Sequence, residues 1–448
     1  MSEKLNVKTD DYKVEDGVLT FISEKVEEIT VPEGVTEIST DVFKYIRELP
    51  FDFSVPLKKI NLPSTLEKIK TRAFADCENL EEVNFKSCNL IEEKAFKGCK
   101  IKNIVFPSNL ELIEMNAFLK CKELESITFN SRATIGFGAF TICSNLKEAN
   151  LENIKKIEHE AFLGCDLREI NLSSIEKLGD EAFEDNEHLK KVIWSKTIKQ
   201  IPNKTFCACR ELDDVNLENV RIFGEESFSG TAFKTLDLNT KVIGTCAFFS
   251  CPNLESIKIK ADLLMDFSFS ECNNLKNIDL DVKTLGINVF RSGEHNQKVD
   301  SITFSPRLDN IGAGCFQFLN VDRLNLKDTA ISELKKFAFQ LFNVKTLILP
   351  RSAMNICEYA FDSSEIENLI ILSDKFITDK WSFSGLNVKN TILLNLQNRD
   401  DIISEDDLDE TLKNLGNVYC DCIWNTLPIR DFYEDIGFRQ FNKILTER

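Results

Sequence analysis

The chain reads as a repeat solenoid of about sixteen coils of ~22 residues, each laying one short parallel strand beside the last. Three observations carry this reading. A phenylalanine, usually after a small residue, returns at a near-constant interval. A cysteine or a substitute for it stands three positions later. Each unit then closes on a segment of the form apolar-x-x-apolar-x-apolar.

Composition points the same way. At 448 residues the chain could form about two to four ordinary domains. Phe occurs 35 times, against 5 Tyr and 3 Trp. A general core mixes these residues, so the bias suggests one recurring slot that takes Phe. The column reads Phe43, Phe74, Phe96, Phe118, Phe140, Phe162, Phe183, Phe206, Phe228, Phe248, Phe269, Phe290, Phe316, Phe339, Phe361 and Phe383. Only the steps before Phe74 and Phe316 stretch noticeably. Cys fills the following slot at positions 77, 99, 121, 143, 165, 209, 251 and 272. Elsewhere that slot holds Asn186, Thr231, Gly293, Leu319, Phe342, Ser364 or Leu386.

The closing segments include "LEEVNF" (80 to 85), "LESITF" (124 to 129), "LREINL" (167 to 172) and "VKTLIL" (344 to 349). Their last three residues alternate with period two, the mark of a short strand with one buried face. Pro63, Pro107, Pro306 and Pro350 end such strands. A further apolar residue, such as Ile69, Ile113, Ile157 or Ile311, leads into the next turn. One coil cannot bury its own apolar side, but a stack can, with identical slots about 4.8 Å apart. The Phe column becomes a continuous interior, in a curved rod on the order of 75 Å along the strand stack.

This pattern resembles the BspA-like leucine-rich repeats, also called the Treponema pallidum type. The resemblance covers residues Val26 to Val388 and rests on the strand segment, the Pro after it, and the Ile, Ala-Phe, Cys and Leu series. It implies a right-handed superhelix or horseshoe with a parallel concave β-sheet. It also implies a protein-binding module, in many relatives an adhesin or surface antigen.

The ends fall outside the repeat. Residues 1 to 30 are assigned to an N-terminal cap, 31 to 388 to the solenoid and 389 to 448 to a C-terminal cap or tail. "VEDGVLTF" (14 to 21) sets Asp-Gly between alternating apolar residues and predicts a hairpin. Insertions at 44 to 56 and 292 to 298 predict loops. "SEDDLDETLKNLG" (404 to 416) and the stretch 431 to 448 predict amphipathic helices.

Charge and thiols bound the function. A net charge of −18 repels phosphate backbones and anionic membranes, which excludes nucleic acid as a general partner and suits a basic protein surface. No apolar stretch approaches the ~20 residues of a membrane helix. The first residues lack the apolar core of a secretory signal, so the expected location is cytoplasmic. The alternative, which the resemblance suggests, is the cell surface or secretion by an unconventional route. The 15 cysteines are read as reduced, and those of the repeat slot as small buried residues.

Catalytic and metal motifs are weak. Cys420 and Cys422 form a C-x-C without a nearby His, and Cys207 with Cys209 forms another. His159, His188 and His295 stand in no motif with a nucleophile. The triplets at 171 to 173 and 203 to 205 fit the glycosylation sequon, which matters only in a secreted chain. The reading is a non-enzymatic protein without cofactor or metal.

A partner would meet the concave sheet at the position between the last two apolar residues of each segment. That position holds Asn61, Asn84, Val105, Thr128, Asn150, Asn171, Ile193, Asn216, Asp237, Lys258 and Asp279 in turn. Asn150, Asn171, Asn216, Asp237, Lys258 and Asp279 are the candidate polar contact face, though stacked Asn side chains also hydrogen-bond along a sheet. Ile348, Ile370 and Ile392 form an apolar stripe on successive coils, the seat of a partner or of the chain's own C-terminal segment. The main expectation is adhesion or surface interaction with protein ligands. The second is an intracellular scaffold, and the third an effector confined to the C-terminal residues.

Overall fold

Residues 80 to 85 show how a coil is made. Leu80 and Val83 are buried, while Glu81, Glu82 and Asn84 between and beside them are exposed. The resulting strand Glu82–Asn84 pairs parallel with Lys59–Asn61 one coil earlier, Asn84 opposite Asn61. Seven residues on, Leu90–Ile91 pairs parallel with Lys68–Ile69 and buries Ile91 against Ile69. Each coil thus gives one strand to a front sheet and a shorter one to a back sheet, and the Phe turn closes it. In a computed structural model of the chain these coils form a parallel β-solenoid of about sixteen turns. The structure describes residues 5–40, 42–43, 55–293, 297–352, 354–372, 376–379, 381–393, 417–420 and 427–428.

The chain divides into two compact units. The first is Met1–Val220 with Gly224–Ala232, the second Arg221–Phe223 with Phe233–Arg448. In the first unit the front sheet runs in parallel from Asn103–Phe106 through Ser126–Phe129, Glu148–Asn150, Glu169–Asn171 and Lys191–Ile193 to Asp214–Val215. The back sheet begins at Val7–Lys8, which pairs antiparallel with the first strand of a hairpin, Tyr12–Glu15 with Val18–Ile22. Its turn holds Asp16 at φ 52° and Gly17 at φ 81°, the two positive angles that the Asp-Gly pair predicts. In the second unit, Ser256–Leu264 and Asn277–Leu285 run unbroken from front to back. A later sheet there continues through Glu365–Ile371 and Asn387–Leu393 to Asn417–Cys420 and Leu427–Pro428. The boundary drawn at 388 therefore falls inside a strand, and two further parallel strands follow it. The helices expected at 404 to 416 and 431 to 448 lie outside the described residues, as do most of the 44 to 56 insertion and the centre of the 292 to 298 loop.

The Phe column is the core in both units. Phe96, Phe118 and Phe140 are fully buried and stacked with centroids 5.1 Å apart and planes 6° apart. In the second unit Phe248 and Phe269 stack at 5.3 Å and 4°. The backbone around these rings is hydrogen-bonded along the stack as well. Asn116 donates to the Phe137 carbonyl at 2.9 Å, Phe118 to Ala139 at 2.8 Å and Lys120 to Thr141 at 2.9 Å. This third wall needs left-handed residues two before and two after the Phe, as at Asn116 (φ 59°) and Lys120 (φ 62°).

The cysteine slot has a purpose that size alone does not explain. Cys99, Cys121, Cys143 and Cys165 each donate Sγ–H to the carbonyl of the Phe one coil back, at 3.1 to 3.3 Å. Asn186 makes the same bond to the Phe162 carbonyl at 2.8 Å, and Ser364 to that of Phe339. The slot therefore favours a compact hydrogen-bond donor, which corrects its reading as a place for any small apolar residue. Among the described residues the cysteines in it form no disulfide.

Candidate functional site

The exposed face of the front sheet carries two columns of side chains, because alternate strand residues point away from the core. In the first unit, one column reads Asn61, Asn84, Val105, Thr128, Asn150, Asn171, Ile193 and Asn216. Its first members form an amide ladder: Asn84 donates to Asn61 at 2.7 Å, and Asn61 to Thr30 at 3.1 Å. Asn150, Asn171 and Asn216 do otherwise. Each side-chain oxygen accepts the backbone N–H two residues ahead, from Glu152, Ser173 and Glu218 at 3.2, 3.0 and 3.1 Å. These are Asx turns, which end the strand. Asn150 and Asn216 are exposed and Asn171 half-buried. Val105 and Ile193 on the same column are 58% and 47% exposed, unusual for residues that solvent does not favour.

The middle of this face is dented. Ala149 takes the inward slot that Ile127 and Ile170 fill in the coils beside it, and it is only half-buried. Glu148–Asn150 and Glu169–Asn171 keep a single aligned pair, Glu148 opposite Glu169, whereas each pairs with its other neighbour along its full length. A shallow depression opens on each side of the Glu148–Asn150 strand, and Ala149, Asn150 and Glu169 line both. The sequence reading passed over Ala149, Glu148 and Glu169. The signal was present, since "LKEANL" places Ala where the other coils of this unit place Ile or Val.

In the second unit Asp237, Lys258 and Asp279 stand in register and exposed, one rung apart. Their charges alternate, and Thr303 donates to Asp279 at 2.6 Å. Beside them Arg307 bridges Asp262 at 2.8 Å and Asp281 at 3.4 Å. This face neutralises itself. The isoleucine stripe is stacked as expected, Ile348 opposite Ile370 and Ile370 opposite Ile392. It is not open, however: Ile348 is 2% exposed and Ile370 0%. Thr346, Asn368 and Asn390 on the outer side of the same strands are buried too, so that side is covered. Asn390 donates to Asn368 there at 3.0 Å, as buried amides require.

Cys207 is half-buried, and burial, then Glu184 and Glu226, push its thiol up to about 12, so it is not a thiolate at neutral pH. His188 Nδ1 lies 2.7 Å from Asp166 and His159 Nδ1 3.8 Å from Asp180, both at the surface. His295 and Cys422 lie outside the described residues. Among the described residues no group of three His, Cys, Asp or Glu could hold a metal, and no helix is long and apolar enough to cross a membrane.

Comparison with known proteins follows the geometry. The BspA type leucine rich repeat region matches residues 44–157, 133–254, 199–295 and 266–390, which together exceed half the chain. No curated protein matches it. Among solved structures, the chain resembles a leucine-rich repeat protein of Bacteroides ovatus at 20% identity, over 68% of this chain and 97% of that one, with TM-score 0.34. It also resembles the T. pallidum leucine rich repeat protein at 22% identity, over 48% and 80%, with TM-score 0.28. For the pneumococcal vaccine antigen PcpA the identity is 18%, over 94% and 100%, with TM-score 0.41. The repeat match spans the coils that the structure shows: the chain belongs to the BspA-type leucine-rich repeat family, whose fold is a protein-interaction scaffold.

Proposed function

We propose that this chain is a non-enzymatic protein-binding repeat protein whose ligand lies on the front sheet of the first unit. One observation supports the choice of face. Val105 and Ile193 stand exposed there on either side of a depression, whereas Ile348 and Ile370 in the second unit are covered. The experiment is selection of binders from a random peptide display library against the full chain. Selected peptides lose at least tenfold in affinity with Thr128→Trp, which fills the front face, and keep it with Lys68→Trp on the exposed side of the back sheet. Equal affinity for both variants overturns the reading.

Adhesion at a cell surface is the form of this binding that the family suggests. Scaffolding inside the cell is the second reading. Protease treatment of intact cells separates the two. Digestion from outside supports adhesion, and full protection supports the scaffold.

A further inference from the structure

The second column of the first unit's front face reads Lys59, Glu82, Asn103, Ser126, Glu148, Glu169, Lys191 and Asp214. Near its two ends, neighbours are complementary. Lys59 pairs with Glu82 at 2.8 Å and Lys191 with Asp214 at 3.3 Å, and Ser126 donates to Asn103 at 2.7 Å. In the middle the rule breaks. Glu148 and Glu169 face each other directly, both exposed, and neither has an ion-pair partner among the described residues. Of the cations around them, Arg168 is held by Asp166 at 2.9 Å, Lys102 by Glu81 at 3.4 Å, Lys190 by Glu211 at 3.1 Å, and Lys191, which stands opposite Glu169, by Asp214 at 3.3 Å, while Lys147 at the edge of one depression forms no ion pair among the described residues. Like charges directly across a strand pair destabilise it. Here they coincide with the one interrupted ladder of this sheet, with the half-buried Ala149 and with the two depressions.

We propose that Glu148 and Glu169 receive an arginine or lysine from a basic segment of a protein partner. The cationic head sits between the two carboxylates, where a guanidinium can bond both. Its methylene stem lies over Ala149, where a larger inward side chain would leave no dent. Apolar residues of the same segment reach Val105 on one side and Ile193 on the other. The net charge of −18 draws such a segment from a distance, and the paired carboxylates fix its register. The Asp237, Lys258 and Asp279 column of the second unit offers no equivalent, because no two like charges face each other directly on it.

This inference rests on the front-sheet reading, and the two fail separately. The probe is a fluorescein-labelled six-arginine peptide, with binding to the full chain followed by anisotropy at physiological salt. Glu148→Gln with Glu169→Gln weakens binding at least tenfold. Glu67→Gln with Glu111→Gln, which removes the same two charges from exposed back-sheet positions, weakens it less than twofold. Equal losses in the two double variants, or no binding by the parent chain, overturn the proposal. Thermal melts accompany the titration: relief of repulsion leaves the Glu148→Gln, Glu169→Gln chain at least as stable as the parent, whereas a purely structural role would lower its Tm. Display-selected peptides blocked by Thr128→Trp but indifferent to Glu148→Gln with Glu169→Gln would leave the binding face standing and remove the cation site.

Discussion

Ile142 holds φ at 60° on the turn wall, where its N–H donates to the Leu163 carbonyl at 2.8 Å. A β-branched residue is strained there, by ~1 to 2 kcal/mol. Ile142→Gly keeps the hydrogen bond and relieves the strain, so the unfolding free energy from urea titration rises by up to about 1 kcal/mol after the lost side-chain contacts. The cysteine slot gives a sharper residue-scale prediction. Cys143→Ala removes one of the two hydrogen bonds to the Phe118 carbonyl, which keeps the Cys121 N–H at 3.2 Å, and costs about 0.5 to 1.5 kcal/mol. Cys143→Ser keeps a donor and costs less, as Ser364 in the same slot implies. Equal costs would return the slot to a question of volume. The sequence displayed the column itself plainly, because Cys recurs three after Phe. It hid the reason, because a bond from one coil to the carbonyl of the previous one joins residues about 25 apart. Asn186 and Ser364 were the clue, polar residues in what looked like an apolar list.

At the scale of the strand, the inward slot decides how tightly neighbours zip. Val83, Ile104, Ile127, Ile170 and Val192 are buried in it, and Ala149 is the gap. Ala149→Val fills the dent with two methyl groups and strengthens the pairing of Glu148–Asn150 with Glu169–Asn171 by about 1 kcal/mol, from ~0.8 kcal/mol per buried carbon less what stays exposed. Slower amide exchange in residues 148 to 171 is the readout, and unchanged exchange would mean that the gap is held open by the carboxylates instead. Strand positions were legible from the period-two segments, since burial of one face is what creates that period. The covering of Ile348 and Ile370 was not, because an outer face that is buried and an outer face that is sticky have the same apolar sequence. The Asx turns at Asn150, Asn171 and Asn216 were hidden for a similar reason: one residue type serves both ladder and turn, and only geometry tells which.

Across the whole molecule the buried thiols set a limit on alkaline stability. Burial drives Cys99, Cys121 and Cys143 well above the ordinary thiol range and pushes Cys88 up to about 12. In the unfolded chain a thiol ionises near ~8.5. Above that pH the unfolded state binds fewer protons than the native one, so stability falls as pH rises, by ~1.4 kcal/mol per unit for each such thiol. The urea midpoint is expected to be flat with respect to thiols below pH ~8.5 and to drop steeply between there and ~12. A midpoint level through pH 10 would contradict their burial. The fold class was readable from one line of sequence because every coil repeats the same solution, so each unit corroborates the rest. The division into two compact units was not, since nothing in the register changes between Phe206 and Phe248. The Phe stack carries a last consequence. From Phe74 to Phe206, and again from Phe248 to Phe361, each column Phe N–H donates to the coil that follows, and each of those coils presents the same carbonyl at the same place. A lineage could therefore add or drop whole coils within a unit and reseal the wall at once, so the reach of such a protein is free to drift while its local grip on a ligand stays put.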